Sequence, residues 1–175
     1  KQPNDIKQLW RLVKLSKLQS YHKREFFECE ESSLTHYIKK QVRQDERKKL
    51  AICFVATNKR DEVIGYYTLS SQSLSRSVVP EKYQKILPTN YHVPLILLGR
   101  LARHSSQRGK KLGEILLLDA LMRSLKISEK SLGAFAVVVD PINEYAKTFY
   151  AQFGFIKLLD SKKMFLPMKS IKKLL

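Results

Sequence analysis

Three features of this 175-residue sequence carry residue types and spacings that could do chemistry. The first is the hexamer Arg108-Gly109-Lys110-Lys111-Leu112-Gly113, set between an apolar run and an amphipathic stretch. If a helix begins there, the backbone amides of residues 109 to 113 are the unpaired N–H groups of its first turn, and the helix dipole adds roughly half a positive charge. A phosphate is the natural ligand of such a place. Charge-assisted hydrogen bonds contribute about 1.5 to 3 kcal/mol each, so three or four amides hold a pyrophosphate without side chains. A surface helix with a basic first turn reads the same way, so the hexamer alone decides nothing. The second feature is Asn143, and the third is Tyr150 in a Phe149-Tyr150 pair. A phenol can act as general acid, although a packed aromatic pair has the same sequence.

Other chemistries find little support. Cys29 and Cys53 lack the CxxC spacing of a zinc site, and His22, His36, His92 and His104 form no HxH or HExxH pattern, so free thiols and no metal are expected. No apolar run approaches the roughly 20 residues of a spanning helix, and no secretory leader is visible, so a cytoplasmic protein is expected.

Charge is the strongest compositional signal. The chain holds 33 basic and 16 acidic residues, a net charge of +17. The excess is +8 over residues 1 to 60, +5 over 61 to 131 and +4 over 132 to 175, so it belongs to the folded body rather than to a tail. A cationic body favours nucleic acid or another phosphate-rich partner through counterion release and steering, although a merely soluble basic surface has the same composition.

The elements that must position these residues follow from periodicity. Residues 10 to 15 alternate as a first strand, and Ser32 to Lys48 reads as a helix with Ser33 as N-cap and a basic face that includes Lys39, Lys40 and Arg43. Residues 51 to 57 and 63 to 69 read as paired strands, and 70 to 94 as a long polar connection with one short helix near 81 to 86 that carries Arg76 on its approach. A strand over 94 to 103, interrupted at Gly99, leads to the hexamer and a helix over 112 to 127. A covered strand over 134 to 139, a helix opened by Pro141 and stopped by Gly154, and two short strands over 155 to 168 complete the chain. The expected fold is α+β: one domain over residues 1 to 175, with a mixed, mostly antiparallel sheet flanked by helices on both faces.

At this point the chain resembles the GNAT superfamily of N-acetyltransferases. Their acetyl-CoA loop reads Gln/Arg-x-x-Gly-x-Gly/Ala; Arg108 and Gly113 match its outer positions, and Lys111 stands at the inner glycine. Asn143, Phe149-Tyr150 and Phe153-Gly154-Phe155 resemble the family's late motifs. Within the superfamily the likeness is to the acetyltransferase toxins of bacterial toxin-antitoxin pairs. It rests on His22, Phe26 or Phe27, Cys29, Leu34, Tyr37, Gln41, Gln44 and Asp45, on the segments Tyr66 to Ser70 and Leu101 to Arg103, and covers about His22 to Met168. Glu30 stands where these toxins place glycine.

The resemblance implies acetyl transfer from acetyl-CoA to the α-amine of an aminoacyl-tRNA, which stops translation. It implies that the backbone of Leu101, Ala102 and Arg103 pairs with the pantetheine arm and that Arg108, Gly109, Lys110, Lys111, Leu112 and Gly113 hold the pyrophosphate. Asn143 binds near the end of that arm, and Tyr150 is the general acid. Arg100 and His104 would face the acceptor, with Lys39, Lys40, Arg43 and Arg76 along the tRNA phosphates. It also implies a cognate antitoxin with a DNA-binding domain, and a homodimer is compatible with it. Acetylation of protein N-termini or lysines, and a non-catalytic nucleic-acid-binding module, remain open readings of the same residues.

Overall fold

The computed structural model describes residues 3–175. Helix α1 (Pro3–Leu12) precedes strand β1 (Lys14–Lys17). Then come α2 (Ser32–His36), a π-helical turn (Tyr37–Gln41), α3 (Val42–Arg47), β2 (Ile52–Thr57) and β3 (Val63–Ser75). Short helix α4 (Glu81–Gln84) leads to β4 (His92–Arg103), α5 (Leu112–Lys130), β5 (Ala136–Val139) and α6 (Glu144–Gln152). Strands β6 (Ile156–Lys157) and β7 (Met164–Pro167) and helix α7 (Met168–Leu174) end the chain.

The strands form one mixed sheet in the order β1-β2-β3-β4-β5-β7-β6. Strands β4 and β5 run parallel, whereas β1–β2, β2–β3, β5–β7 and β6–β7 are antiparallel. The architecture is therefore the expected α+β type. The chain packs as two compact units, one holding the described residues up to Ser70 with Gly99–Ala120, the other Ser71–Leu98 with Leu121–Leu175.

In the first unit, Leu18, Phe27, Tyr37, Ile38, Val55 and Tyr66 are the large members of a buried cluster. The π-helical turn lets Val42 N–H reach the carbonyl of Tyr37, and Arg24 Nη1 donates to the carbonyl of Ile38 at 2.9 Å. Such turns hold one residue more than an α-helix and recur at functional sites. Buried Asp119 on α5 accepts from Tyr67 Oη at 2.6 Å and Trp10 Nε1 at 3.1 Å, which ties α1 to the unit. In the second unit, Val79, Val93, Leu95, Ala136, Val138, Leu158 and Phe165 are buried together, with Tyr83 edge-on to Phe135 and Phe165.

Several boundaries differ from the sequence expectations. Residues 10 to 12 are helical, because Ile6, Leu9, Trp10 and Val13 recur at helical spacing and that longer period overrides a brief alternation; the strand starts at Lys14. The long polar connection shrinks at both ends, since β3 runs to Ser75 and β4 begins at His92. Along Ser71 to Ser75 exposure still alternates, but the half-buried positions include Gln72, so the period is hidden from a count of apolar residues. Glu31, not Ser33, caps α2, its carbonyl accepting from Leu34 and Thr35 N–H. Strand β4 is continuous through Gly99. Helix α6 starts at Glu144 rather than at Pro141, because the Asn143 carboxamide accepts the Ala146 N–H at 2.8 Å and caps it there. Gly154, at φ 93°, follows the C-cap Phe153 and stops α6 as expected. Helix α7 follows the last strand with Met168 and Ile171 buried.

Candidate active site

In the second unit β4 pairs with β5 over Leu95 to Leu98. Leu101, Ala102 and Arg103 lie further along β4, beyond the four positions paired with β5. Past the strand, His104 N–H donates to Ile64 O at 2.7 Å and a 3-10 turn spans Ser105–Gln107. Gly109 then takes φ 80° and Lys111 φ 59°, both in the left-handed region, and α5 begins at Leu112. Helical hydrogen bonding resumes with Ile115 N–H to Lys111 O at 3.1 Å. Among the described residues, the amides of Gly109, Lys111, Leu112, Gly113 and Glu114 find no acceptor. This row of free N–H groups, with exposed Arg108 and Lys110 beside it, fits a pyrophosphate.

The lysine at the family's inner glycine therefore leaves the turn unchanged. Lys111 adopts the left-handed backbone that glycine adopts freely, at a cost of about 1 to 2 kcal/mol for a residue with a Cβ. Gly65 on β3 sets the height of the helix start. A Cβ there would lie 3.0 Å from Leu116 Cδ1, 3.2 Å from Leu112 Cδ2 and 3.4 Å from the carbonyl of Ala102. Without that Cβ, the first turns of α5 lie close against β3 and β4 and hold the loop.

In the first unit the loop is tied to the segment before α2. Phe26 O lies 3.1 Å from His104 Nε2, and Glu28 O accepts from Ser105 N–H at 2.9 Å. Both imidazole nitrogens of His104 are engaged, because Nδ1 accepts from Ser106 N–H at 3.0 Å, and the ring fastens this strap to the turn. Phe27 is buried and Phe26 exposed, which makes Phe27 the core member of the pair. Glu30 forms an ion pair with Arg108 and lies 3.6 Å from Arg103 Nη1. The Arg108 hydrogen bond, aided by a backbone hydrogen bond and by the charge of Arg103, holds its carboxyl below the usual carboxylate range. Sequence reasoning gave Glu30 no role; its signal was an acidic residue at a glycine position beside a basic loop.

Arg100 places its guanidinium carbon 3.7 Å from the ring centre of Tyr37. Tyr37 is buried, stacks on Tyr66 and donates to Asp45 Oδ2 at 3.0 Å, and burial first, then that bond, pushes its phenol up. On the neighbouring helix Lys39 lies 4.0 Å from Glu28, Lys40 is exposed and Arg43 pairs with Glu46 at 3.3 Å.

Asn143, Tyr150 and Arg76 belong to the second unit. Arg76 Nε donates to the carbonyl of Gln84 at 3.0 Å and half of its fork is thus spent on the α4 terminus. Tyr150 is buried among Phe149 and Phe155, with ring centres at 5.4 and 5.3 Å. Burial alone pushes its phenol up, so Tyr150 is protonated at neutral pH. Among the described residues no cluster of His, Cys, Asp or Glu could hold a metal ion.

A mixed sheet whose strand β4 runs into an amide-lined helix start is the framework of an acyl-group transferase. Residues 15–155 match the acetyltransferase (GNAT) family, and the chain belongs to that family. It is 33% identical over 150 residues to the tRNA-acetylating toxin of Mycobacterium tuberculosis (strain ATCC 25618 / H37Rv), covering 85% of this chain and 88% of the relative. Its structure matches AtaT complexed with acetyl-methionyl-tRNAfMet at a TM-score of 0.85 and 28% identity, over 93% of this chain and 98% of AtaT. It also matches an AtaT mutant toxin bound to the C-terminus of the antitoxin AtaR and acetyl-CoA, at a TM-score of 0.78 and 26% identity over 93% and 97% of the two chains. The chain is thus an acetyltransferase.

Proposed function

We propose that this acetyltransferase moves the acetyl group of acetyl-CoA onto the α-amine of an aminoacyl-tRNA and thereby blocks translation, its two units working as one catalytic domain in the cytoplasm. The observation that carries the reading is the row of free amides at Gly109 and Lys111 to Glu114, kept open by the left-handed turn at Lys111. The choice of acceptor is supported by the likeness to a tRNA-acetylating toxin and to AtaT in complex with acetyl-methionyl-tRNAfMet. Protein amines and a non-catalytic role have no comparable support.

Acetyl-CoA supplies an activated thioester. The free amides of Gly109 and Lys111 to Glu114, with the side chains of Arg108 and Lys110, hold its pyrophosphate, and the backbone of Leu101, Ala102 and Arg103 aligns its pantetheine arm with Asn143 near the end of that arm. The acceptor α-amine titrates near 8 and lower beside an ester, so much of it is free base at neutral pH. Its nitrogen forms the new bond to the acetyl carbon as the carbon–sulfur bond breaks. Tyr150 gives its proton to the departing sulfur, and the proton shed by the amine leaves to solvent and restores the phenol. Arg100 faces the acceptor, and Lys39, Lys40, Arg43 and Arg76 contact RNA phosphates. His104 acts by holding the strap. The match to a toxin bound by the C-terminus of an antitoxin supports a cognate antitoxin, one with a DNA-binding domain, as the regulator of this chain.

The test is Tyr150→Phe. Acetyl-CoA binding, followed by calorimetry, should stay unchanged while turnover on charged tRNA falls about 10²- to 10⁴-fold. A variant that keeps full turnover would remove the acid role.

A further inference from the structure

Glu30 brings a negative charge to a loop otherwise built to receive one. Its Oε1 accepts from Arg108 Nη2, and the same oxygen lies 3.6 Å from Arg103 Nη1. That Arg103 nitrogen is buried and makes no hydrogen bond, so one carboxylate oxygen is shared between two guanidinium groups. The backbone on either side of Glu30 is pinned. Glu28 O accepts from Ser105 N–H at 2.9 Å, Cys29 N–H donates to Thr35 Oγ1 at 3.0 Å, and Glu31 O accepts from Leu34 N–H at 3.1 Å. All of these residues belong to the first unit, and the carboxylate is therefore held at the mouth of the amide row that Arg108 opens. A guanidinium fork takes carboxylate and phosphate oxygens with the same geometry, so an Arg108 N–H spent on Glu30 is withheld from a phosphate.

We propose that Glu30 competes with the phosphates of acetyl-CoA for Arg108, so that the cofactor binds by taking this arginine from the carboxylate; the inference rests on the assignment of the loop at residues 108 to 114 to the pyrophosphate. Two effects act in the same direction. The Arg108–Glu30 pair must open before the arginine reaches the cofactor, and the carboxylate left behind is a like charge beside the arriving phosphates. Side chains of both partners are largely exposed, which keeps each effect small. A residue without charge at position 30 would lack both effects and leave the amide row intact. Glu30 thus sets the affinity of the loop for its cofactor without taking part in the transfer itself. Because Glu30 sits on the strap, cofactor arrival also removes one of the contacts between strap and loop.

Calorimetric titration of the full chain with acetyl-CoA tests this. Glu30→Gln keeps the length of the side chain and removes its charge, and should lower the Kd for acetyl-CoA about 2- to 10-fold, a gain that misfolding cannot imitate. Inorganic pyrophosphate, used to displace the cofactor, should bind more tightly to the same variant, and both gains should shrink as salt rises. Arg108→Gln alone should weaken acetyl-CoA binding, and on that background Glu30→Gln should add a smaller gain. If Glu30→Gln binds acetyl-CoA no more tightly than the native chain, or gains equally with and without Arg108, the competition is overturned, and a weakened Arg108→Gln leaves the loop assignment standing. An Arg108→Gln protein that binds acetyl-CoA as tightly as the native chain overturns both.

Discussion

The guanidinium carbon of Arg100 lies over the buried Tyr37 ring, 3.7 Å from its centre, without a carboxylate or other hydrogen-bonding partner among the described residues. A half-buried guanidinium is ordinarily paired, because an unpaired one loses hydration without return. Stacking on a fixed ring returns only about 0.5 to 2 kcal/mol, but it leaves all five N–H donors in one orientation for an incoming anion.

Replacing Arg100 therefore separates function from stability. Arg100→Met keeps the contact with the ring and removes an uncompensated charge, so its melting temperature should stay within about 4 °C of the native value. Its KM for aminoacyl-tRNA should rise roughly 10- to 100-fold, the loss of one or two charge-assisted hydrogen bonds. A large drop in melting temperature with an unchanged KM would make Arg100 a structural residue.

The cofactor loop depends on the space at Gly65. A Cβ 3.0 Å from Leu116 Cδ1 and 3.2 Å from Leu112 Cδ2 requires the first turns of α5 to give by a few tenths of an ångström, so Gly65→Ala should cost about 1 to 3 kcal/mol in chemical denaturation and raise the KM for acetyl-CoA more than that for tRNA. An alanine variant with native stability and native KM would contradict the role of Gly65 as the spacer beneath α5.

At Lys111 the side chain matters less than the backbone. Lys111→Gly relieves a left-handed residue and should bind acetyl-CoA at least as tightly, with stability equal or higher by up to about 1 kcal/mol. Lys111→Val places a branched carbon at φ 59° and should weaken acetyl-CoA binding. Calorimetric titration of both variants checks the order of affinities; glycine binding more weakly than valine would reverse it.

His22 gives the fold an acid-sensitive point. Its imidazole is buried, Nδ1 accepts from Gln19 N–H at 2.8 Å and Nε2 has no partner. Burial lowers its pKa below the ordinary 6.5, an effect that the charge of Asp61 opposes and those of Lys14 and Arg43 reinforce. With the folded pKa depressed, the unfolded chain binds the proton first. The contribution is complete above pH 6.5 and is lost as pH falls toward the folded value. Urea midpoints of the native chain should decline between pH 7 and pH 5, and His22→Gln should flatten that decline. Parallel curves for the two proteins would remove His22 as the cause.

The parts legible in the sequence are those written locally. The helix from Leu112, most of the covered strand expected over 134 to 139 and the amide row expected over 109 to 113 follow from neighbours within a few positions, although the Lys110 amide is bonded to Gln107 and Glu114 joins the row. The parts missed depend on distance or on polar residues. The pairing of Glu30 with Arg108 joins positions 78 apart, and the stacking of Arg100 on Tyr37 joins two elements whose adjacency no local pattern encodes. The extension of β3 to Ser75 uses serines and glutamine, which carry no hydrophobic period. The capping of α6 by Asn143 was masked by Pro141, which offers an equally good helix start two residues earlier.

The central claim concerns which nitrogen receives the acetyl group, and one measurement addresses it most directly. Acetyl-labelled acetyl-CoA is incubated with the chain and total charged tRNA, the RNA is recovered, and its ester bonds are opened with mild alkali. Label should leave the RNA as an N-acetylamino acid, and the Tyr150→Phe protein should release far less of it. Label that stays on the nucleotides after alkali, or that enters only protein when extract is offered instead, would contradict α-amine acetylation of aminoacyl-tRNA.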